Sequence, residues 1–344
     1  MNYDLTVIGN CCTDFTAPVS EDFLRQNSLI LGQNVEFDEQ IAFLQLKSKV
    51  LDYAITPGGA GANTAHVVSA LGGKTAFMGV RADDPEGALF EKSLRDAIID
   101  PFVYKLPSST LPSPQVLCFI TPGGERSFAS FNGVATTLTP NVLDLDVIAA
   151  STITLLDGHA LCSATSFETL MHAALTARAA EQIVAINIAD TGLIDRYGDE
   201  IEDLLIHSDC LIMNRSEGEH LTGLKSLEKM ASFLSQKFPF GAITDGSAGS
   251  IVFDCGRIVN VPPADLSGIP ADKIDSNGAG DHYAGGFLFG LAHHLSIEEC
   301  GLIATLCARD CLSHSGARPM GPLSYLLPED VLSDLGAGES LPPS

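Results

Sequence analysis

Residues 275–294 read DSNGAGDHYAGGFLFGLAHH, in which two aspartates enclose a run of small residues before the chain turns apolar. The apolar residues after Asp281 have the spacing of a buried α-helix. The glycines therefore fall at the N-terminus of that helix, where amide N–H groups lack helical partners and the helix dipole is positive. Such an end binds anions, which predicts a phosphate-binding site. On this stretch alone, an aspartate that only caps the helix explains the pattern equally well.

The rest of the chain alternates short β-branched runs with longer segments of helical period. Repeated β-α units with apolar strands predict an α/β fold, in which a mostly parallel central sheet is covered by helices on both faces. The predicted strands are residues 5–8, 75–80, 153–156, 183–188, 210–213, 241–244 and 250–253, and the predicted helices are residues 62–71, 86–98, 167–180, 199–207 and 227–237.

Two segments break this rhythm, at about residues 14–53 and 103–134. In the second, two β-branched and aromatic runs at 116–121 and 126–131 flank PGGE, which is typical of a hairpin. We expect both segments to form a small β-sheet outside the main one, as a lid on a single domain of residues 1–335. The Pro-rich residues 336–344 are expected to be a loose tail.

Composition narrows the class of protein. A chain of 344 residues with 45% apolar composition can bury a large core. A net charge of −24 with only 19 Lys and Arg excludes a nucleic-acid partner and docking to an anionic membrane surface. The sequence has neither a basic, apolar leader nor an apolar run of membrane-spanning length, so we expect a cytoplasmic protein. Such an acidic protein can still bind nucleotide phosphates through backbone N–H groups and a metal.

A second glycine run, PGGAGANT at 57–64, also precedes a predicted helix. Backbone exposed at Gly58 and Gly59 can hydrogen-bond the hydroxyls of a small polar ligand, and Asn63 adds a donor and an acceptor. A tight βα turn that only packs against the sheet is the alternative, and for this segment alone it is favoured. Neither glycine run matches GxGxxG, so an NAD-dependent dehydrogenase has no support.

Two further polar clusters follow predicted strands. Asn214 and Glu217 come after the strand 210–213, where they can orient water around Mg²⁺ or form a capping box at a helix start. TDGSAG at 244–249 follows the next strand, and its glycines either admit a nucleotide or make a turn.

Taken in this order, the four clusters resemble the motifs of the PfkB (ribokinase-like) carbohydrate and nucleoside kinases. The resemblance extends over almost the whole chain, and the paired glycine signatures are far more specific than either run alone. It implies a ribokinase-like three-layer α/β/α sandwich with a small β-sheet lid. The motifs are GGAGAN at 58–63, NRSE at 214–217, TDGSAG at 244–249 and DSNGAGD at 275–281.

The resemblance also implies a reaction and the residues that perform it. Asp281 would be the catalytic base that takes the proton of an acceptor hydroxyl while ATP, with Mg²⁺, supplies a phosphoryl group. The implied binding residues are Gly278, Ala279 and Gly280 for the transferring γ-phosphoryl, Asn214, Thr244, Gly246 and Gly249 for ATP, Asn214 and Glu217 for Mg²⁺ through water, Asp14, Gly58, Gly59 and Asn63 for the acceptor, and Asp275 for a monovalent cation such as K⁺.

The resemblance defines the acceptor molecule less well than it defines the reaction. Residues 124–126, 281–287 and 311–319 are most similar to the adenosine-kinase-like branch, which phosphorylates the 5′-hydroxyl of a purine nucleoside. A ribose- or fructose-type sugar kinase is the first alternative, and a non-catalytic nucleotide- or sugar-binding regulator on the same fold is the second. His282 and Asn277 depart from the residues usual in the family, which bears on acceptor specificity.

Three expectations concern the lid and the assembly. Arg126 either neutralises phosphate charge when the lid closes or is structural. Phe119, Phe128 and Phe131 either stack on a base or form a plain apolar sheet face, and we favour the latter. The open edges of the lid strands can pair, so we expect a monomer or a homodimer with a small-molecule substrate.

Overall fold

The computed structural model of the protein describes residues 2–107, 109–270 and 274–334. Its centre is a nine-stranded sheet in which all neighbouring strands are parallel except at one edge, where Ser250–Asp254 is antiparallel to the strand on either side of it. This confirms the predicted α/β class. In sheet order the strands are Arg257–Val261, Ser250–Asp254, Phe240–Thr244, Cys210–Asn214, Ile183–Asn187, Ser151–Asp157, Tyr3–Ile8, Thr75–Ala82 and Asp100–Leu106.

Helices cover both faces of this sheet and bury an apolar core on each side, which confirms the three-layer sandwich. Among the described residues, no helix combines the length and the apolar character needed to cross a bilayer. The helices on one face are Ala60–Leu71, Pro85–Asp96, Ala279–Ala292 and Ile297–Leu312. The helices on the other face are Leu145–Ala149, Ala164–Ala179, Thr191–Ile206 and Leu227–Leu234. The remaining helices of the described residues are Glu21–Gln26, Gln40–Lys47, Arg215–Thr222 and Glu329–Asp334.

A second, five-stranded sheet lies outside the first, and we call it the small sheet. Its strands join parallel and antiparallel pairs, and Phe15, Phe43 and Phe119 fill its own apolar core. In sheet order the strands are Asn34–Glu36, Arg126–Phe131, Gln115–Ile120, Thr13–Pro18 and Ala54–Pro57.

The segments expected to form the lid differ from the small sheet at two boundaries. The strand Ala54–Pro57 belongs to the small sheet although the expected lid segment ended at about residue 53. Residues 103–106, which we expected to lie in the lid, belong to the strand Asp100–Leu106 at the edge of the large sheet. This strand pairs in parallel with Thr75–Ala82, so its residues belong to the central sheet and not to the lid. The tail expected over residues 336–344 lies outside the described residues.

One helix begins earlier than predicted. The periodicity indicated residues 199–207, whereas the helix runs over Thr191–Ile206. The side chain of Asp190 caps it by accepting the N–H of Gly192 at 2.8 Å, while Tyr197 has the non-helical angles φ −129° and ψ 35°. Two glycines lower the helix propensity of its first half, which is why the sequence pattern there is weak.

Candidate active site

A cleft of about 860 Å³ lies between the small sheet and the carboxyl ends of the central parallel strands. Ligand sites of open α/β sheets lie at this edge. Eight residues singled out in the sequence line the cleft together: Asp14, Gly59, Asn63, Asn214, Glu217, Thr244, Gly280 and Asp281. The remaining six lie next to it or in adjoining turns: Gly58, Gly246, Gly249, Asp275, Gly278 and Ala279.

The helix Ala279–Ala292 presents its N-terminus to the cleft. Gly278 precedes it with φ 81°, a left-handed conformation that favours glycine, and a Cβ there would lie 2.6 Å from the Cβ of Ala317. The Ala279 N–H donates to the Ser276 carbonyl at 3.2 Å. The exposed Gly280 and the next residue, Asp281, line the cleft, so the anion-binding end of the helix opens into it.

Asp281 lies in the first turn of this helix, half-buried in the cleft. Asn63 donates to its Oδ2 from Nδ2 at 2.8 Å, which ties the two glycine-containing motifs to each other. Burial raises the pKa of Asp281 to about 7, repulsion from Asp157, Asp14 and Glu217 adds to the increase, and the Asn63 hydrogen bond opposes it. A carboxylate with a pKa near neutrality is suited to general base catalysis.

On the small-sheet side of the cleft, Asp14 lies against the glycine run. A Cβ at Gly58 would lie 2.3 Å from Oδ1 of Asp14, so only glycine fits beside that carboxylate. Burial raises the pKa of Asp14 to about 6, against the opposing effects of the nearby Arg318 guanidinium and the Cys12 thiol. Asp14 thus faces the cleft as a hydrogen-bond acceptor that suits a hydroxyl.

Arg318 is a residue of this site that the sequence motifs did not single out. Its guanidinium donates to the Gly58 carbonyl at 2.9 Å, to Oδ1 of Asn63 at 3.2 Å and to Oγ of Ser93 at 2.7 Å. It therefore fixes the helix that carries Asn63, the residue bonded to Asp281. No local pattern indicates this role, because Arg318 is 255 residues from Asn63 in the chain.

Asn214 and Glu217 form the capping box that was one of their two interpretations. Oδ1 of Asn214 accepts the Glu217 N–H at 3.0 Å, and the Glu217 carboxylate accepts the N–H of Asn214 at 2.9 Å and its Nδ2 at 2.5 Å. Burial raises the pKa of Glu217 to about 7; the Asn214 N–H opposes this and the Asp190 charge adds to it. Both side chains line the cleft, and a carboxylate that accepts two hydrogen bonds keeps lone pairs for water. The pair therefore fits Mg²⁺ held through water, as well as capping the helix.

The TDGSAG segment forms a turn after the strand Phe240–Thr244. Thr244 lines the cleft, while Gly246 and Gly249 lie further along the turn. Arg215 holds this turn by donating to Oδ2 of Asp245 at 2.8 Å.

Two ion pairs join the small sheet to the rest of the molecule. Arg126 donates to Oδ1 of Asp275 at 2.6 Å, with both side chains largely buried, and Glu36 pairs with Arg196 at 2.6 Å. Arg126 is therefore a structural link in this conformation. The Asp275 carboxylate already has a cationic partner, so this geometry gives no support to a monovalent cation on it.

Replacing Arg126 by methionine is expected to loosen the small sheet. Removing one partner of a largely buried ion pair costs about 3 kcal/mol, which changes an opening equilibrium by about 100-fold. Hydrogen exchange of the strands Gln115–Ile120 and Arg126–Phe131 should accelerate by about that factor. Arg25→Met, which removes an exposed arginine paired with Glu21 and Asp22, is the matched control. Equal exchange in both variants would show that the pair does not hold the sheet.

Asp157 is a second residue of the cleft that the sequence reading missed. It ends the strand Ser151–Asp157, and its carboxylate accepts the N–H of Gly61 at 3.1 Å and that of His159 at 3.1 Å. A polar residue at the carboxyl end of a buried parallel strand is a usable signal, since those ends meet at the ligand-binding edge. Of the lid aromatics, Phe119 is fully buried in the small sheet, whereas Phe128 and Phe131 line the cleft.

Comparison with known proteins agrees with this arrangement. Residues 4–322 match the pfkB family carbohydrate kinases. The crystal structure of adenosine kinase from Sinorhizobium meliloti superposes with a TM-score of 0.87 at 29% identity, over 94% of this chain and 98% of that one. Adenosine kinase 2 of Arabidopsis thaliana is 24% identical over 92% of this chain and 96% of its own length, and a fructokinase of Escherichia coli is 27% identical over 71% and 80%. The chain therefore belongs to the pfkB family of carbohydrate kinases, and its adenosine kinase relatives support the adenosine-kinase-like branch.

Proposed function

We propose that this kinase transfers the γ-phosphoryl group of ATP to a hydroxymethyl group of a nucleoside, with adenosine favoured over ribose or fructose. The observation that carries the proposal is the Asn63–Asp281 hydrogen bond of 2.8 Å. It places a carboxylate of raised pKa where the acceptor-side motif meets the N-terminus of the anion-binding helix.

In the proposed reaction, Asp281 accepts the proton of the acceptor hydroxyl as its oxygen attacks the phosphorus. Asp14 and Asn63 orient the acceptor through its other hydroxyls. The first-turn amides at Gly280 and Asp281, two residues that line the cleft, stabilise the charge that spreads over the phosphoryl oxygens. Mg²⁺, when bound near Asn214 and Glu217, would neutralise phosphate charge.

Two observations favour a purine nucleoside as the acceptor. The adenosine kinase relatives match this chain over nearly its full length. Phe128 lines the cleft and is only half-buried, so its ring can stack on a base, whereas Phe131 packs on Phe43 in the core of the small sheet. A sugar kinase is the second candidate, because the fructokinase relative is as similar in identity over a shorter region.

The test is release of ADP from ATP with a panel of adenosine, inosine, guanosine, ribose and fructose. We expect adenosine to give the highest kcat/KM. Faster turnover of ribose or fructose would assign the protein to the sugar kinases, and no acceptor-dependent ADP release would favour the non-catalytic regulator. Repeating the assay with potassium replaced by a bulky organic cation checks the predicted monovalent cation, which stays a prediction.

The pH dependence of this reaction follows from the state of Asp281. A general base acts only when it is deprotonated, and burial raises its pKa to about 7. We expect log kcat/KM to be level in alkaline solution and to fall as the pH drops through about 7. The slope should be at least one, because the pKa values of Glu217 and Asp14 are also raised, to about 7 and about 6. A profile that stays level down to about pH 5, near the ordinary range of an aspartate, would contradict the assignment of Asp281 as the base.

A further inference from the structure

A cluster of three side chains lies beside the first turn of the helix Ala279–Ala292, apart from the residues that line the cleft. His282 comes from that helix, Asp310 from the last turn of the helix Ile297–Leu312, and His314 from the residues just after it. One ligand atom from each side chain lies within 4.8 Å of the other two. No step of the proposed phosphoryl transfer uses these groups.

The Nε2 atom of each histidine in this cluster has no hydrogen-bond partner within the described part of the chain. His282 is fully buried, and its Nδ1 bonds the Gly278 carbonyl at 3.0 Å. A carbonyl only accepts, so Nδ1 carries the proton and Nε2 keeps a free lone pair. Nε2 of His282 and Nε2 of His314 are both buried and unsatisfied, the latter 3.5 Å from Oδ2 of Asp310. Each buried polar atom without a hydrogen-bond partner costs about 1–3 kcal/mol of folding stability. Two such atoms in one place therefore indicate a ligand that binds them.

We propose that His282, Asp310 and His314 bind one zinc ion. Two imidazole nitrogens and one carboxylate oxygen form a donor set that suits Zn²⁺, whereas Mg²⁺ and Ca²⁺ prefer oxygen donors alone. The set leaves a fourth tetrahedral position for water. The side chains of Asp310 and His314 are 16% and 17% exposed, which gives an ion a route to the site.

The surroundings of the three side chains match those of metal ligands. The hydroxyl of Tyr325 donates to Oδ1 of Asp310 at 2.8 Å, which leaves Oδ2 toward the two histidines. The Gly278 carbonyl fixes the tautomer and ring orientation of His282. Metal-bound histidines and carboxylates are usually oriented by such outer contacts.

The proposed ion has a structural consequence for the cleft. Gly278 is the residue that precedes the anion-binding helix, and its carbonyl holds His282. Zinc would therefore connect this turn to the end of the helix Ile297–Leu312. The proposal does not rest on the acceptor or on the kinase reaction, since the ligand set is separate from the carboxylate of Asp281.

Binding is tested on the full chain after removal of metals with a chelator. We expect calorimetry to show one tightly bound Zn²⁺ per chain, Co²⁺ to give the visible absorption of a four-coordinate site, and zinc to raise the melting temperature. Asp310→Asn and His314→Gln should each weaken zinc binding by about 100-fold or more, and Tyr325→Phe by about 10-fold.

His220→Gln is the matched control, since His220 and Asp195 form an exposed histidine–aspartate pair at 2.7 Å without a second histidine. Asp310 and His314 are partly exposed, so their variants should fold, and circular dichroism checks this. The proposal is wrong if the metal-free protein binds no zinc tightly, or if the Asp310 and His314 variants bind it as well as His220→Gln does.

Discussion

Asp281→Asn is expected to lower kcat by about 10²–10⁴-fold while ATP and the acceptor still bind. Asparagine keeps the shape of the side chain, and its Oδ1 can still accept the hydrogen bond that Asn63 donates at 2.8 Å. What it cannot do is take a proton from a hydroxyl. Steady-state ADP release measures the loss, and calorimetry measures the two affinities.

The matched control for this variant is Asp96→Asn, which neutralises an exposed carboxylate that pairs with Lys92 and lies outside the cleft. Its turnover should equal that of the wild type. An Asp281→Asn enzyme with undiminished kcat would remove Asp281 from the role of base. Parallel losses of turnover and of both affinities would instead indicate a structural role.

The Asp281→Asn substitution should also change how the stability of the fold depends on pH. The folded state raises the pKa of Asp281 to about 7, so it binds this proton more tightly than the unfolded chain does. Ionised Asp281 therefore destabilises the fold above about pH 7, and this cost disappears as the pH falls toward the ordinary pKa of an aspartate. Asp281→Asn should melt at a higher temperature than the wild type at about pH 8, and the difference should shrink toward about pH 5. A constant difference would contradict the raised pKa.

Arg318→Met is expected to have the second-largest effect. It removes the donors that bind the Gly58 carbonyl, Asn63 and Ser93, and leaves these buried acceptors without them. We expect a loss of about 3 kcal/mol in the free energy of unfolding, because each unsatisfied buried acceptor costs about 1–3 kcal/mol. The KM for the acceptor should rise more than the KM for ATP, since the guanidinium binds Asn63, which we propose orients the acceptor.

Chemical denaturation and initial rates measure these two effects. Arg309→Met is the matched control, because Arg309 is an arginine near the same end of the chain that donates to the Asp265 carbonyl. Equal stability of the two variants, or an Arg318→Met enzyme in which only the KM for ATP rises, would show that Arg318 does not organise the acceptor side.

The architecture could be predicted from the sequence because the spacing of apolar residues indicates which side chains are buried. Apolar strands alternating with helical segments require a sheet covered on both faces, and the structure has one. Part of the edge strand Asp100–Leu106 was predicted to lie in the lid, because an apolar run does not indicate which of two sheets a strand joins. The predicted helix was shorter than Thr191–Ile206, because the N-terminal part of this helix is stabilised by the Asp190 cap more than by an apolar stripe.

The candidate site was predictable where local chemistry marks it. Glycines before a helix, or a polar pair after a strand, are visible in the sequence, and the structure brings Gly59, Asn214 and Asp281 to one cleft. Arg318, Asp310 and His314 carry no such local mark, and His282 stood out only as a departure from the residues usual in the family. Their contacts form only when distant segments pack together, which one sequence does not report.

The most direct test of the account is a crystal structure with adenosine and a non-hydrolysable ATP analogue. We expect the 5′-hydroxyl oxygen to lie about 2.6–3.2 Å from a carboxylate oxygen of Asp281, with the terminal phosphate on the first-turn amides at Gly280 and Asp281. A terminal phosphate bound away from that helix end, or an acceptor hydroxyl out of reach of Asp281, would contradict it.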